Sequence, residues 1–229
     1  MVFKAAVVQD SPIMFNLQLT IDKVDTITTK AATNGASLIV FPEAFISAYP
    51  KGLDFGAKVG NRTDKGREDF LEYYKSSLAF ESKEFFKLLN IAKKNKVFLV
   101  IGVIEKDKGT LYCTILHISD KGKLLCKHRK VMPTAAERLI WGFGDGSTLN
   151  TTNTPLGILG SVICWENYMP MIRMAMYGQG IQLYCTPTAD DRDTWISTIK
   201  HIALEGRCFV FSSCQYLTKS DYPKGFENS

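Results

Sequence analysis

Residues 35–42 of the chain, GASLIVFP, and residues 180–187, GIQLYCTP, are two versions of one pattern that decides the fold. In each, glycine and proline enclose a short apolar run, which is typical of a buried β-strand. A second pair of stretches repeats the relation, since KVFLV at residues 96–100 is echoed by RCFVF at residues 207–211. The echo predicts two similar halves, each built around buried strands.

Helical patterns lie between these strands, and further strand patterns lie before and after them. Further strands are expected at residues 3–9 and 158–164, and a hairpin is expected over residues 111–130. Helices are predicted to follow Asn16 and Ser82 and to cover residues 168–177 and 194–205. This alternation predicts an α/β fold with a mixed sheet or a pair of sheets. The polar, Gly-rich residues 52–76 indicate a long surface excursion.

The two halves differ at their ends. The strand at residues 97–104 is followed by the hairpin, whereas the strand at residues 208–215 is followed by a polar tail. We therefore expect the second half to lack its last strand pair, as in a C-terminally truncated chain. Such a truncation would leave an edge or face of a sheet uncovered.

Composition excludes several classes of protein. The chain has 229 residues, of which 45% are hydrophobic and 22% charged, so one domain over residues 1–229 with a single large core is expected. Its longest apolar run, residues 97–104, is too short for a membrane span. Six cysteines without a secretory leader predict reduced thiols and a cytoplasmic protein. The net charge of +5 is too small to indicate nucleic-acid binding.

Three reactive side chains stand at the ends of predicted strands, where function collects in open α/β folds. Glu43 follows residues 37–41, Lys130 ends the hairpin, and Cys164 ends residues 158–164. A carboxylate, an amine and a thiol could serve as base, electrostatic stabiliser and nucleophile. We expect a helix start after Cys164 to lower its thiol pKa, and apolar neighbours to raise the pKa of Glu43.

Other catalytic patterns are weaker. The glycines of residues 142–146 are not followed by Lys-Ser or Lys-Thr, so they fit a turn better than a phosphate-binding loop. The histidines and cysteines lack the spacing of a zinc site, and there is no Gly-x-Ser-x-Gly sequence. His128 lies two residues before Lys130, so a Cys-His hydrolase remains an alternative.

The residues around these three side chains resemble the motifs of the nitrilase family of carbon–nitrogen hydrolases. FPEAF at residues 41–45 resembles the glutamate motif, HRKVMPT at residues 128–134 the lysine motif, and CWENYMP at residues 164–170 the nucleophile motif. The three occur in the family's order. Trp-Glu-Asn after the cysteine favours the nitrilase branch over the amidase branches.

This resemblance implies a four-layer αββα sandwich and hydrolysis of an organic nitrile to a carboxylic acid and ammonia. It implies catalytic roles for Glu43, Lys130 and Cys164, with Glu137 as a second glutamate. It also implies a homodimer or larger homo-oligomer, and no metal or organic cofactor. We expect Trp165 and Tyr49 to line the substrate pocket.

Two further functions remain open alongside nitrile hydrolysis. An amidase would use the same three side chains on an amide substrate. A truncated, catalytically silent relative would keep the motifs without turnover. Ammonia release from nitriles distinguishes these possibilities.

Overall fold

The computed structural model describes residues 2–61, 63–224 and 226. Its first sheet has five strands in the order β1-β2-β3-β4-β5. β1 to β3 are parallel, and β3 to β5 form an antiparallel meander. The strands are β1 (Lys4–Val7), β2 (Ala36–Val40), β3 (Phe98–Asp107), β4 (Thr110–Ile118) and β5 (Leu124–Arg129).

The second sheet has four strands in the order β6-β7-β8-β9. β6 pairs antiparallel with β7, while β7, β8 and β9 are parallel. These strands are β6 (Thr152–Thr154), β7 (Gly157–Ser161), β8 (Leu183–Thr188) and β9 (Phe209–Cys214). The echoed sequences thus form β2 and β8, and β3 and β9.

Within the part of the chain that the structure describes, five α-helices connect the strands. Asn16, Thr63 and Ser82 cap the first three by accepting a backbone N–H at the helix start, and Pro170 begins the fourth. The helices are α1 (Leu17–Thr33), α2 (Asp64–Lys75), α3 (Lys83–Asn95), α4 (Pro170–Gly178) and α5 (Asp193–Gly206). No helix in the described ranges is both long and apolar enough to cross a membrane.

Three apolar layers hold the molecule together, because alternate residues of a strand point to opposite faces of its sheet. Ile39 of β2 packs towards α1 and α3, whereas Leu38 and Val40 pack between the two sheets. On the far side, Tyr184 of β8 packs in a cluster with Met176 of α4 and Ile202 of α5. The predicted αββα sandwich is confirmed.

The structure corrects three details of the sequence analysis. The excursion at residues 52–76 contains a regular helix, α2, whose polar sequence hid it. The helix predicted from residue 168 begins at Pro170, after a short 3-10 helix at Cys164–Tyr168. Strand β1 is shorter than residues 3–9. Within the described residues, β3 is followed by the β4–β5 hairpin, while β9 has β8 as its only strand neighbour.

Candidate active site

Two oppositely charged side chains, predicted to lie together, meet in the interior of the fold. The Lys130 Nζ lies 2.8 Å from the Glu43 Oε1, and both side chains are completely buried. Glu43 follows β2, and Lys130 follows β5. Buried charges persist only when paired, so each side chain stabilises the ionised form of the other.

The Glu43 loop depends on a glycine in the neighbouring strand. A Cβ at Gly102 of β3 would lie 2.3 Å from the Pro42 carbonyl oxygen and 2.6 Å from the Ala44 nitrogen. Only a residue without a side chain lets the loop cross the strand this closely. The Gln215 Nε2 also donates to the Glu43 carbonyl oxygen at 2.6 Å. The base is therefore held at its backbone from two sides.

Lys130 has a second carboxylate partner in Glu137. Its Nζ lies 2.8 Å from the Glu137 Oε2, and the other oxygen of Glu137 accepts from the Tyr49 hydroxyl at 2.7 Å. The amide N–H of Thr134 donates to Glu137 as well. Gly144, which the sequence assigned to a turn, packs on the Lys130 backbone, and its N–H donates to the Lys130 carbonyl at 2.8 Å. The ammonium is thus fixed between two carboxylates.

Cys164 stands at the sharp turn after β7, in the left-handed region with a φ of 47°. The Asn167 Nδ2 donates to its carbonyl oxygen at 2.8 Å, and the Thr188 hydroxyl lies 3.1 Å from its sulfur. The following Glu166 is buried and accepts the N–H of Ile163 at 2.8 Å. These bonds hold a backbone conformation that a non-glycine residue seldom adopts.

The same Glu166 joins the nucleophile turn to the lysine loop. It accepts the N–H of Val131 at 2.6 Å, and its carboxylate lies 3.0 Å from the His128 Nε2. The other ring nitrogen of His128 lies 3.0 Å from the Thr148 hydroxyl. Both nitrogens are therefore engaged away from Cys164, which argues against the Cys-His alternative.

The pKa of the Cys164 thiol is shifted in the direction opposite to the one that the sequence predicted. Burial raises the pKa of the thiol above its ordinary value, and the negative charge of Glu43 raises it further. The predicted lowering by a helix start is wrong, because Cys164 begins a short 3-10 helix, α4 starts only at Pro170, and desolvation of the sulfur dominates. The Cys164 sulfur therefore rests as a neutral thiol, and a thiolate forms there only if a neighbouring group takes the proton.

The two charged partners suit that requirement. Burial raises the pKa of Glu43, as its apolar neighbours predicted, although Lys130 opposes the shift. Burial disfavours the Lys130 ammonium, but Glu43 and its other neighbours outweigh this and hold the Lys130 pKa well above its ordinary range. The lysine therefore stays cationic at neutral pH, and the glutamate is poised to take a proton.

A cavity of about 230 Å³ opens beside the nucleophile. Cys164, Glu137, Tyr49 and Trp165 all line it, so the two aromatic residues predicted for the pocket lie at its wall. The Trp165 ring is 40% exposed, and the guanidinium of Arg192 lies 5.3 Å from its centre. The cavity has room for a small organic molecule in contact with the sulfur.

Sequence reasoning missed three side chains around this site. Thr188 contacts the Cys164 sulfur, and Glu166 holds the turn. Cys113 is buried, and its sulfur lies 3.5 Å from the Glu43 Oε1. Only Glu166 carried a signal, since it lies two residues after the cysteine. Among the described residues, no group of three or more His, Cys, Asp and Glu side chains could hold a metal ion.

Comparison of the sequence with known protein families agrees with this geometry. The family described as carbon-nitrogen hydrolase matches residues 4–225, and the chain belongs to that family. Its branch follows from two relatives. The chain is 55% identical over 226 residues to an aliphatic nitrilase of Sinorhizobium fredii (strain HH103), covering 99% of this chain and 73% of that protein. It is 53% identical over 220 residues to the bifunctional nitrilase/nitrile hydratase NIT4B of Nicotiana tabacum, covering 96% of this chain and 63% of that protein. The chain is a member of the nitrilase branch.

Solved structures share the fold at low sequence identity. An amidase from Nesterenkonia sp. AN1 is 18% identical with a TM-score of 0.72, over 93% of this chain and 79% of that one. Nit3 of Saccharomyces cerevisiae is 24% identical with a TM-score of 0.67, over 93% of this chain and 75% of that one. At these identities the likeness concerns the fold alone.

Proposed function

We propose that the chain hydrolyses an organic nitrile to a carboxylic acid and ammonia, with Cys164 as nucleophile. The observation that carries the proposal is the buried Glu43–Lys130 ion pair, with 2.8 Å between the Nζ and the Oε1. Both charges act on the pKa of the Cys164 thiol. The nitrilase relatives support a nitrile as substrate. A nitrile carbon is a poor electrophile, so a strong nucleophile and a cation must act on it together.

In the first step Glu43 takes the proton of the Cys164 thiol as the sulfur attacks the nitrile carbon. A C–S bond forms, one electron pair of the C≡N bond moves to nitrogen, and nitrogen takes the proton from Glu43. The product is a covalent thioimidate. Lys130 stabilises the negative charge that develops on nitrogen, and Glu137 keeps the ammonium in position.

Water completes the reaction in two further additions. The first water adds to the thioimidate carbon, and Glu43 passes its proton to the nitrogen. The hydroxyl proton of the tetrahedral carbon follows by the same route, so ammonia leaves as the C=O bond forms and a thioester remains. The second water, activated in the same way, releases the carboxylic acid and restores the thiol. Tyr49 and Trp165 hold the organic part of the substrate against the cavity wall.

A second product is favoured by the plant relatives, whose names include nitrile hydratase activity. If the tetrahedral carbon expels the sulfur before ammonia, an amide is released instead of the acid. The hydrogen bonds to the amine and to the sulfur therefore set the ratio of the two products.

The test is incubation of the purified protein with a panel of aliphatic and aromatic nitriles, followed by measurement of ammonia, acid and amide. We expect ammonia and acid in equal amounts, with any amide as the balance. Folded protein that releases none of the three from any nitrile, yet hydrolyses amides, would replace the proposal with an amidase. Absence of turnover on both substrate classes would favour the silent relative.

We further propose a single carbon–nitrogen hydrolase domain that works in the cytoplasm as a homodimer or larger homo-oligomer. The family match over residues 4–225 supports the single domain, and six free cysteines fit a reducing compartment. Exposed apolar side chains on α4 and α5, among them Met171 and Leu204, support self-association through these helices. Sedimentation of wild type and of Met171→Glu tests this, and unchanged monomeric behaviour of both would contradict it.

A further inference from the structure

The sulfur of Cys164 has a neutral hydrogen-bond donor that the family motifs do not include. Thr188 is the last residue of β8, and its side chain is completely buried. Its hydroxyl accepts the N–H of Asp190 at 2.9 Å and lies 3.1 Å from the Cys164 sulfur. Because the amide occupies the hydroxyl oxygen as acceptor, the hydroxyl proton is free to point at the sulfur.

The charged groups around the sulfur leave a need for such a donor. Glu43 opposes negative charge on the sulfur, and Lys130 favours it, but the ammonium is already shared between Glu43 and Glu137 at 2.8 Å each. The charged side chains that line the cavity with the sulfur are also paired: Arg192 pairs with Asp190, Lys51 with Asp191, and Glu137 with Lys130. A hydroxyl adds no charge, so it can stabilise a thiolate without weakening the Glu43–Lys130 pair.

The adjacent threonine on the same face of β8 has a different partner. Thr186, also buried, accepts from the Asn167 Nδ2 at 2.7 Å, and that amide also holds the Cys164 carbonyl. Residues two apart in a strand share a face. One strand end therefore supports the backbone of the nucleophile with Thr186 and contacts its sulfur with Thr188.

We propose that Thr188 is a further catalytic residue, whose hydroxyl donates a hydrogen bond to the Cys164 sulfur and stabilises its thiolate. The bond is strongest when the thiol proton has moved to Glu43 and before the C–S bond forms. It acts again when the C–S bond of the thioester breaks and the electron pair returns to sulfur. Its place in turnover depends on the proposed nitrile hydrolysis, whereas its effect on thiol ionisation does not.

The experiment measures alkylation of Cys164 by iodoacetamide as a function of pH, following the Cys164 peptide by mass spectrometry. Thr188→Val keeps the shape of the side chain and removes the donor. We expect the apparent pKa of the thiol to rise by about one unit and alkylation at neutral pH to slow about tenfold. Thr188→Ser keeps the donor and is expected to remain within about twofold of wild type.

Two controls separate this role from a structural one. Thr28→Val makes the same change at a buried position of α1 and should leave the alkylation profile unchanged. Thr188→Val also removes the acceptor of the Asp190 amide, but a loosened loop would admit water and lower the thiol pKa, the opposite direction. If Thr188→Val fails to fold, Thr188→Ala gives the same comparison.

The outcomes also separate this proposal from the proposed function. A raised thiol pKa in Thr188→Val supports the role of Thr188, even in a protein that turns over no nitrile. In an active enzyme the same variant should lose about tenfold in kcat with little change in KM, because the bond forms on the reacting sulfur. An alkylation profile superimposed on that of wild type, in a folded variant, would overturn the proposal.

Discussion

At the scale of single residues, the site solves the problem of ionising a buried thiol. Desolvation and Glu43 both raise the pKa of Cys164, so little thiolate exists before substrate binds. The same burial raises the pKa of Glu43, so the carboxyl as well as the thiol holds a proton more tightly than in water.

The first residue-scale prediction concerns the nucleophile. Cys164→Ala and Cys164→Ser should each lower kcat/KM for the best nitrile at least a thousandfold, because neither alanine nor a neutral hydroxyl replaces the sulfur. Cys185→Ala is the matched control, since Cys185 is another buried cysteine, in β8. Ammonia release measures both. An inactive Cys185→Ala enzyme beside an active Cys164→Ala enzyme would show that Cys164 is not the nucleophile.

The second concerns the cation. Lys130→Met removes the charge that is proposed to stabilise the developing anion, and kcat should fall about a hundredfold to a thousandfold. Lys127→Met removes a lysine of β5, the strand that ends just before Lys130. Lys127 pairs with Glu105, and its loss should leave kcat within about threefold. An active Lys130→Met enzyme beside an inactive but folded His128→Asn enzyme would instead support a Cys-His mechanism.

At the scale of elements, Thr188 and the three proposed catalytic groups lie at the end of a strand or shortly after it. Glu43 follows β2, Lys130 follows β5, Cys164 follows β7 and Thr188 ends β8. Strand ends are rigid supports, while the loops after them can adopt the left-handed and tight conformations that a site needs. The position of each group therefore depends on how closely its loop approaches the neighbouring strand.

The element-scale prediction concerns the close approach of the Glu43 loop to Gly102 of β3. Gly102→Ala places a methyl group 2.3 Å from the Pro42 carbonyl oxygen, so the Glu43 loop must move. We expect a loss of about 3 kcal/mol in the free energy of unfolding and at least a tenfold loss in kcat. Denaturant unfolding and ammonia release measure the two effects.

Gly109→Ala is the control for this change. Gly109 lies between β3 and β4, and no atom lies within 4 Å of its added Cβ. Stability and activity should both stay close to wild type. If Gly102→Ala behaved the same way, the close crossing would not position the base.

At the scale of the whole molecule, the two sheets are joined by apolar packing and a few buried polar contacts. One of these is between His117 of β4 and Ser161 of β7, whose Nε2 and hydroxyl oxygen lie 2.6 Å apart. Burial lowers the pKa of His117 to about 3, from an ordinary value of 6.5. The folded protein keeps this imidazole neutral at pH values where the unfolded chain protonates it.

The whole-molecule prediction follows from that difference. Below pH 6.5 His117 binds a proton in the unfolded state but stays neutral in the folded state, so acidification favours unfolding. His117 alone should lower the free energy of unfolding by about 2 kcal/mol between pH 7 and pH 5. His117→Gln, whose amide can still bond Ser161, should lose this part of the pH dependence. Equal slopes for both proteins in urea unfolding would contradict the lowered pKa.

Some of the site could be predicted because its signals are local in sequence. Glu43 and Cys164 each follow an apolar run, Lys130 ends the predicted hairpin, and strand ends collect functional groups. The raised pKa of Glu43 followed from its apolar neighbours in the chain. The pKa of Cys164 did not, because the sequence showed the start of a helix but not the depth of burial or the facing carboxylate.

The sequence by itself determined an α/β fold with two similar halves, through the repeated strands at residues 35–42 and 180–187 and the helices between them, and its family resemblance implied the two-sheet sandwich. Only the tertiary structure decided the hydrogen-bond partners in the site. Thr188 donates to the Cys164 sulfur, His128 contacts Glu166, and Lys130 contacts Glu137 as well as Glu43. The physical reason is range. Strand and helix patterns depend on neighbours along the chain, whereas hydrogen bonds and desolvation depend on side chains brought together by folding.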